Sequence, residues 1–292
     1  MTESIIENCH LSEKEKSMEF GCCIREPENI LRVKEAGFDY YEYAGSAVAA
    51  MSDKAFTQML TLAEKAAFPC RGFNAYSAGV PAIVGERYDP RQVERYAALV
   101  CSRGARLGVS SLGIGAPAAR RLPTDFPRDR ADAQCREFLS ITCEAAARNG
   151  LRVLLEAVHS RMCDYINTTA EALAMVRQVG CANLSLVLDF YHMEVMEEEL
   201  DAVALVAPML SHVHVSTCGD DLSRDFPGEG ESSFYIRRFQ ALHAISYDKT
   251  ISIEPDHYSG AAASSLAMLK AAWRDAGPQF IGVNGGIKMP EP

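Results

Sequence analysis

The feature that most constrains the fold of this 292-residue chain is an alternation of short apolar runs with longer helical stretches. Short apolar runs of this length are typical of buried strands, whereas the stretches between them repeat apolar residues with a helical period. Strands that alternate with helices pair in parallel, and eight such units predict a closed barrel. The eight runs are Glu19–Ile24, Phe38–Tyr43, Cys70–Tyr76, Val109–Gly115, Leu151–Val158, Leu184–Phe190, Ser211–Ser216 and Thr250–Glu254.

The stretches between the runs carry apolar stripes, as at Val93, Tyr96, Ala97 and Val100, which fall at i, i+3, i+4 and i+7. A doubly wound open sheet is the competing fold, but its Gly-x-Gly-x-x-Gly signature is absent, because position 118 is alanine after Gly113 and Gly115. The sequence therefore predicts a single α/β domain, a (β/α)8 TIM barrel over residues 18–276. Residues 1–17 are predicted to be an N-terminal extension, and residues 277–292 a C-terminal tail.

Charge and cysteine content restrict the possible partners and location. The formal net charge of −10 disfavours binding to nucleic acid or to an anionic membrane surface, both of which require clustered basic residues. Apolar runs long enough to span a membrane are absent from the sequence. The ten cysteines are scattered without a Cys-x-x-Cys pair, which is typical of a reduced, intracellular protein. We expect a cytoplasmic protein.

Ionisable residues stand at the carboxyl ends of four successive predicted strands, where the active sites of such barrels lie. Side chains alternate between the two faces of a strand, and the apolar face must contact the helices. This alternation turns Glu156, Asp189, His214 and Glu254 into the barrel. Three carboxylates at one mouth repel each other unless a cation binds them. Three oxygen donors and one nitrogen suit Mn²⁺, Mg²⁺ or Co²⁺ better than a thiolate-rich zinc site.

Several segments of the second half resemble the xylose isomerase-like barrel superfamily, and within it the sugar phosphate isomerase/epimerase and ketose 3-epimerase group (D-tagatose and D-psicose 3-epimerases). The matching segments are Leu155-Glu156-Ala157-Val158, Leu188-Asp189-Phe190-Tyr191-His192-Met193, His212-Val213-His214-Val215, Arg224-Asp225-Phe226-Pro227-Gly228-Glu229-Gly230 and Ser252-Ile253-Glu254-Pro255. The resemblance implies a metal-dependent isomerase, often a dimer or tetramer, with Mn²⁺ as the favoured ion.

The resemblance also implies roles for individual residues. Glu156 and Glu254 would exchange a proton next to the carbonyl of a small-molecule sugar, through an enediolate stabilised by the metal. His192 and Arg224 would contact substrate oxygens.

Other polar residues lie near the predicted mouth. Asn74 and His159 are further candidates for substrate contact. Asn74 and Glu42 end the third and second predicted strands, and each either lines the pocket, is a buried polar group or is exposed. His212, one layer deeper than His214, is best explained as a hydrogen-bonded core histidine or as a residue that orients a ligand. The loop that starts at His257 offers no basic side chain, which favours a non-phosphorylated substrate.

One position departs from the ketose 3-epimerase pattern and leaves the reaction open. Those enzymes carry a second glutamate shortly after the one on strand five, where this chain has Met162. The same site could epimerise or isomerise a ketose or keto-sugar, or could eliminate a leaving group from a keto-inositol or 3-keto-glycoside, as a dehydratase or lyase does. An endonuclease would need further metal ligands and a basic face, and a non-catalytic binding module would not need a complete set of metal ligands.

Overall fold

The computed structural model describes residues 18–79, 81–219 and 221–277. The predicted extension, and the predicted tail beyond Gly277, lie outside the described residues. Eight parallel strands close into one barrel, which confirms the predicted fold. The barrel strands are β1 (Glu19–Ile24), β2 (Tyr40–Ala44), β3 (Cys70–Asn74), β4 (Ser111–Ile114), β5 (Arg152–Glu156), β6 (Leu184–Asp189), β7 (Leu210–Val215) and β10 (Thr250–Ile253). Around the barrel they follow the order β1-β10-β7-β6-β5-β4-β3-β2.

Helices surround the barrel, and a small antiparallel hairpin lies between β7 and β10. The hairpin consists of β8 (Thr217–Cys218) and β9 (Arg224–Asp225). The helices are α1 (Asn29–Glu35), α2 (Gly45–Ala50), α3 (Asp53–Ala66), α4 (Pro90–Leu107), α5 (Pro117–Arg120), α6 (Arg128–Arg148), α7 (Thr169–Val179), α8 (Phe190–Val195), α9 (Asp201–Val206), α10 (Ser232–Ala244) and α11 (Ala262–Ala276), with short 3-10 turns at Ala207–Met209 and Glu229–Glu231.

All eight predicted strands are present, but several end earlier than their apolar runs do. The third run continues to Tyr76, whereas β3 ends at Asn74, because Ala75 has a φ of 44° and turns the chain out of the sheet. The fourth run likewise outlasts β4, and Ala116 beyond it has a φ of 41°. The apolar runs of β3 and β4 therefore extend beyond the last paired residues of these strands, into the loops that follow them.

The helix boundaries follow from local capping, and the predicted stripes face the barrel. Asp89 accepts a hydrogen bond from Arg91 N at the start of α4, and Gly108 ends that helix in the left-handed region. Val93, Ala97 and Val100 are fully buried, as their spacing predicts. Burying such aliphatic side chains contributes roughly 1.5–3 kcal/mol each relative to exposure.

The lower barrel interior is filled by an aromatic ring that only a glycine can accommodate. Tyr40 is buried, and its hydroxyl donates to the carbonyl of Ile251 at 3.0 Å. Its ring lies over Gly21, where an added Cβ would come within 2.1 Å of a ring carbon. The Tyr40 ring therefore fills part of the barrel interior below the mouth, and the carboxyl end is where such barrels bind their ligands.

Eight of the ten cysteines are free thiols in the described structure, and seven of these eight are buried. Cys9 lies outside the described residues. Within the described ranges, every helix is too short or too polar to cross a bilayer.

Replacing Gly21 by alanine should destabilise the barrel, because the new methyl group would displace the Tyr40 ring from a packed interior. We expect a loss of roughly 1–3 kcal/mol in the free energy of unfolding, as for other overpacked cores. Urea denaturation measures this change. Gly260→Ala is the matched control, since a Cβ there meets nothing within 4 Å. Equal stability of the two variants would contradict the proposed packing role.

Candidate metal centre

Four ionisable side chains from adjacent strands converge at the carboxyl end of the barrel. Glu156, Asp189, His214 and Glu254 each offer one ligand atom, and these atoms all lie within 4.8 Å of one another. Nδ1 of His214 is 3.1 Å from Oε1 of Glu156 and 3.5 Å from Oε2 of Glu254. The structure thus brings together all four residues that the strand alternation selects. Three carboxylates and one imidazole at this separation form a donor set that fits a divalent cation.

A guanidinium group compensates part of the negative charge of this cluster. Nη2 of Arg224 lies 2.6 Å from Asp189 Oδ2 and 2.8 Å from Glu254 Oε2, and its Nε donates to the carbonyl of Glu254 at 2.9 Å. The guanidinium also lies over the ring of Tyr191, 4.5 Å from its centroid. The single positive charge of Arg224 therefore compensates two carboxylates only in part, and the negative charge that remains can attract a cation.

The two glutamates have different electrostatic surroundings. Burial raises the pKa of Glu156, and the nearby carboxylates of Glu254 and Asp189 add to the rise against the opposing effect of His214. Burial alone would also raise the pKa of Glu254, but Arg224 and His214 lower it below its usual value. A divalent cation among these groups would favour the ionised form of both carboxylates.

The other residues predicted from the sequence lie around this centre. Asn74 is buried and its Nδ2 donates to Oε1 of Glu254 at 2.7 Å, so it contacts a predicted ligand directly. His192 is buried with its Nε2 3.8 Å from Asp189 Oδ2, and its Nδ1 accepts from the backbone N–H of His159 at 3.3 Å. The ring of His159 in turn approaches the hydroxyl of Tyr191 at 3.3 Å.

The sequence leaves the role of Glu42 open and does not single out Arg120 or Gly115, and the structure places all three beside the centre. Glu42 lies in the middle of β2, not at its end, and contacts His212 and His214. Arg120 is fully buried and donates to the carbonyl of Glu156 at 2.8 Å, which fixes the end of β5. Gly115 leaves room for Glu156, since a Cβ there would lie 2.5 Å from Oε2. The feature of the sequence that indicates a role for Glu42 is a carboxylate within an otherwise apolar strand, because a buried charge requires a compensating group.

An open cleft of about 520 Å³ adjoins the centre on the side of β1. Loops that follow β1, β7 and β10 form its walls, and Arg224 borders both the cleft and the carboxylates. Arg25 supplies a basic side chain that the sequence does not place here. The lining residues are Arg25, Ser223, Arg224, Asp225, Asp256, His257 and Ser259.

A family model described as xylose isomerase-like TIM barrel matches residues 30–272. The chain belongs to this family. The resemblance inferred from the strand-end motifs is thereby confirmed, and so is the barrel type.

Several proteins that are similar to this chain are named as epimerases. A 3-dehydro-D-guloside 4-epimerase of Escherichia coli is 27% identical over 76% of this chain and 85% of that protein. An L-ribulose 3-epimerase of Mesorhizobium japonicum is 28% identical over 84% of this chain and 80% of that protein. A D-psicose 3-epimerase solved in the presence of D-fructose superimposes with a TM-score of 0.70 at 21% identity, over 89% of this chain and 96% of its own. These names agree with the predicted isomerase class.

Mn²⁺ added to chelator-treated protein should raise its melting temperature, because the ion binds the folded donor set and not the unfolded chain. Asp189→Asn should reduce the rise, since it removes one charged donor while keeping the side-chain shape. Each tenfold loss of affinity removes about 1.4 kcal/mol at saturating ion, which is a few degrees in a protein of this size. Differential scanning fluorimetry measures the shift.

Glu19→Gln is the control for this measurement, because Glu19 pairs with Arg71 at the amino end of β1, away from the donor set. It should leave the metal-induced shift unchanged. An identical shift in Asp189→Asn and the control would remove Asp189 from the metal centre.

Proposed function

We propose that this protein is a divalent-metal-dependent epimerase or isomerase of keto-sugars, with Glu156 and Glu254 as its acid–base pair. The observation that carries the proposal is the convergence of three carboxylates and one imidazole within 4.8 Å at the mouth of the barrel. The names of the family relatives support the same class of reaction. We propose Mn²⁺ as the ion, with Mg²⁺ or Co²⁺ as alternatives, because the donors are mainly oxygens.

When bound to Glu156, Asp189, His214 and Glu254, the cation would supply a Lewis acid that acidifies the C–H bond next to a carbonyl. The residues of the chain then have to move the proton. Glu156 on β5 and Glu254 after β10 are separated by two intervening strands, β6 and β7, so their carboxylates approach the pocket from different sides. One carboxylate can accept the proton while the other returns a proton to the opposite face, which inverts the carbon. Return to the neighbouring carbon gives isomerisation instead.

Contacts around the pair support these roles. Asn74 donates to one oxygen of Glu254, which orients the carboxylate and leaves its other oxygen toward the centre. Arg224 and His192 both lie beside Asp189, with Nη1 of Arg224 3.5 Å from Nε2 of His192, and we propose that both contact substrate oxygens. His159 supports His192 through its backbone N–H and is proposed to line the same wall.

We propose a keto-sugar with a substituent, such as a keto-glycoside, in preference to a free ketohexose. Met162 occupies the position where the ketose 3-epimerase pattern has a second glutamate, and this residue is 38% exposed. A thioether cannot accept a hydrogen bond from a sugar hydroxyl as a carboxylate does. The cleft that contains Arg25 gives room for a substituent beside Arg224.

The reduced cysteines favour a cytoplasmic location. We also propose a homo-oligomer, a dimer or tetramer, which light scattering coupled to size-exclusion chromatography measures directly.

Glu156→Gln should slow the exchange of solvent deuterium into the substrate by at least ~10²-fold, because amides do not accept the proton that a carboxylate takes. The measurement is proton NMR of a 3-keto-glucoside incubated with enzyme and saturating Mn²⁺ in D₂O. Glu64→Gln, on the exposed face of α3, is the control and should exchange at the wild-type rate. Wild-type exchange in Glu156→Gln would rule out its role as acid or base.

The same incubation separates the epimerase from a lyase that uses the same proton abstraction. We expect the epimeric keto-sugar as the product, with the glycosidic substituent retained. A released substituent together with an unsaturated keto-sugar would show β-elimination and would contradict the epimerase. Turnover of D-fructose faster than of the 3-keto-glucoside would contradict the preference for a substituted substrate.

A further inference from the structure

Glu42 is a buried carboxylate that lies between two histidines inside the barrel. Its side chain is 5% exposed, and Oε1 is 2.7 Å from Nε2 of His212. The same oxygen lies 3.6 Å from Nε2 of His214. A carboxylate in an apolar interior requires compensation of its charge, and these two imidazoles are the groups that provide it.

The position of this carboxylate is fixed from both sides. His212 is anchored at its other nitrogen, where Nδ1 lies 2.8 Å from the hydroxyl of Thr250, so its Nε2 is held toward Glu42. On the opposite side, Gly72 leaves the space that Oε2 of Glu42 occupies, since a Cβ there would lie 2.8 Å away. The carboxylate therefore has one defined place, 3.6 Å from Nε2 of His214.

The two nitrogens of His214 face different surroundings. Nδ1 points to the carboxylates of the proposed metal centre, 3.1 Å from Glu156 Oε1. Nε2 points away from that centre, toward Glu42 and toward the thiol of Cys23 at 3.9 Å. An imidazole that binds a cation through one nitrogen carries its proton on the other, and an acceptor at that proton fixes the tautomer and the ring orientation.

We propose that Glu42 is a positioning residue that accepts the Nε2 proton of His214 and so reserves Nδ1 as the nitrogen that binds the cation. His212 holds the carboxylate in place and takes no part in the centre itself. This inference rests on the proposed metal-dependent function, because it concerns the geometry of one ligand of that ion.

Cys23 is the competing acceptor at Nε2, and the comparison with Glu42 favours the carboxylate. A charged oxygen is a stronger acceptor than a thiol sulfur. Nε2 lies 3.6 Å from the carboxylate oxygen, a few tenths of an ångström beyond a direct hydrogen bond, and 3.9 Å from the sulfur, so the charge of the acceptor and not its distance favours Glu42. Glu42 and Cys23 therefore form a pair of variants that distinguishes the two possibilities.

The test is the dissociation constant for Mn²⁺, measured by isothermal titration calorimetry on the chelator-treated full-length protein. Glu42→Gln keeps the size of the side chain but removes its charge, and should weaken binding roughly 10- to 100-fold, as other losses of a ligand-orienting carboxylate do. Cys23→Ser should bind Mn²⁺ as the wild type does. The melting temperature of the metal-free protein shows whether each variant is folded.

Two outcomes would overturn the inference while leaving the proposed function in place. The first is wild-type affinity in Glu42→Gln, and the second is a crystal structure of the Mn²⁺-bound protein in which Nε2 of His214 coordinates the ion. If Glu42→Gln does not fold, the crystal structure of the wild type still decides. A wild-type protein that binds none of Mn²⁺, Mg²⁺ and Co²⁺ would instead contradict the proposed function itself.

Discussion

The mutual repulsion of three carboxylates at the mouth of the barrel is the constraint on which the rest of the site depends. Glu156, Asp189 and Glu254 share a space in which all ligand atoms lie within 4.8 Å. Such a cluster is stable only where positive charge and hydrogen-bond donors surround it. Arg224 and Asn74 supply both, and each of them contacts Glu254. The groups that compensate and orient the carboxylates are therefore as necessary to the site as the carboxylates themselves.

Arg224 can fulfil this role because the backbone that carries it is held in place. The β8–β9 hairpin is joined to the loop after β10 by a reciprocal pair of hydrogen bonds. Arg224 N donates to Oδ2 of Asp256 at 2.9 Å, and Asp256 N donates to the carbonyl of Arg224 at 2.9 Å. The guanidinium thus stands on a fixed support and can contact carboxylates and sugar oxygens without a large loss of side-chain freedom.

The fold and the four central residues could be predicted because both depend on local rules. Strand length, helical period and the alternation of side chains along a strand are properties of neighbouring residues, and together they point Asp189 and His214 into the barrel. Contacts between distant loops follow no such rule. Arg120 lies 36 positions before the carbonyl of Glu156 that it contacts, and Arg25 reaches the cleft from the other end of the chain.

Two glycines in the barrel wall have a consequence for how this site can change over evolution. Gly115 and Gly72 carry no chemistry, yet each leaves space that the carboxylate of a glutamate on a neighbouring strand occupies, Glu156 and Glu42 respectively. A side chain in place of either glycine would have to displace that carboxylate, which lies at the flexible end of its glutamate. Substitution at position 115 would therefore move one of the proposed reacting groups while leaving every proposed metal-binding and acid–base residue unchanged in the sequence.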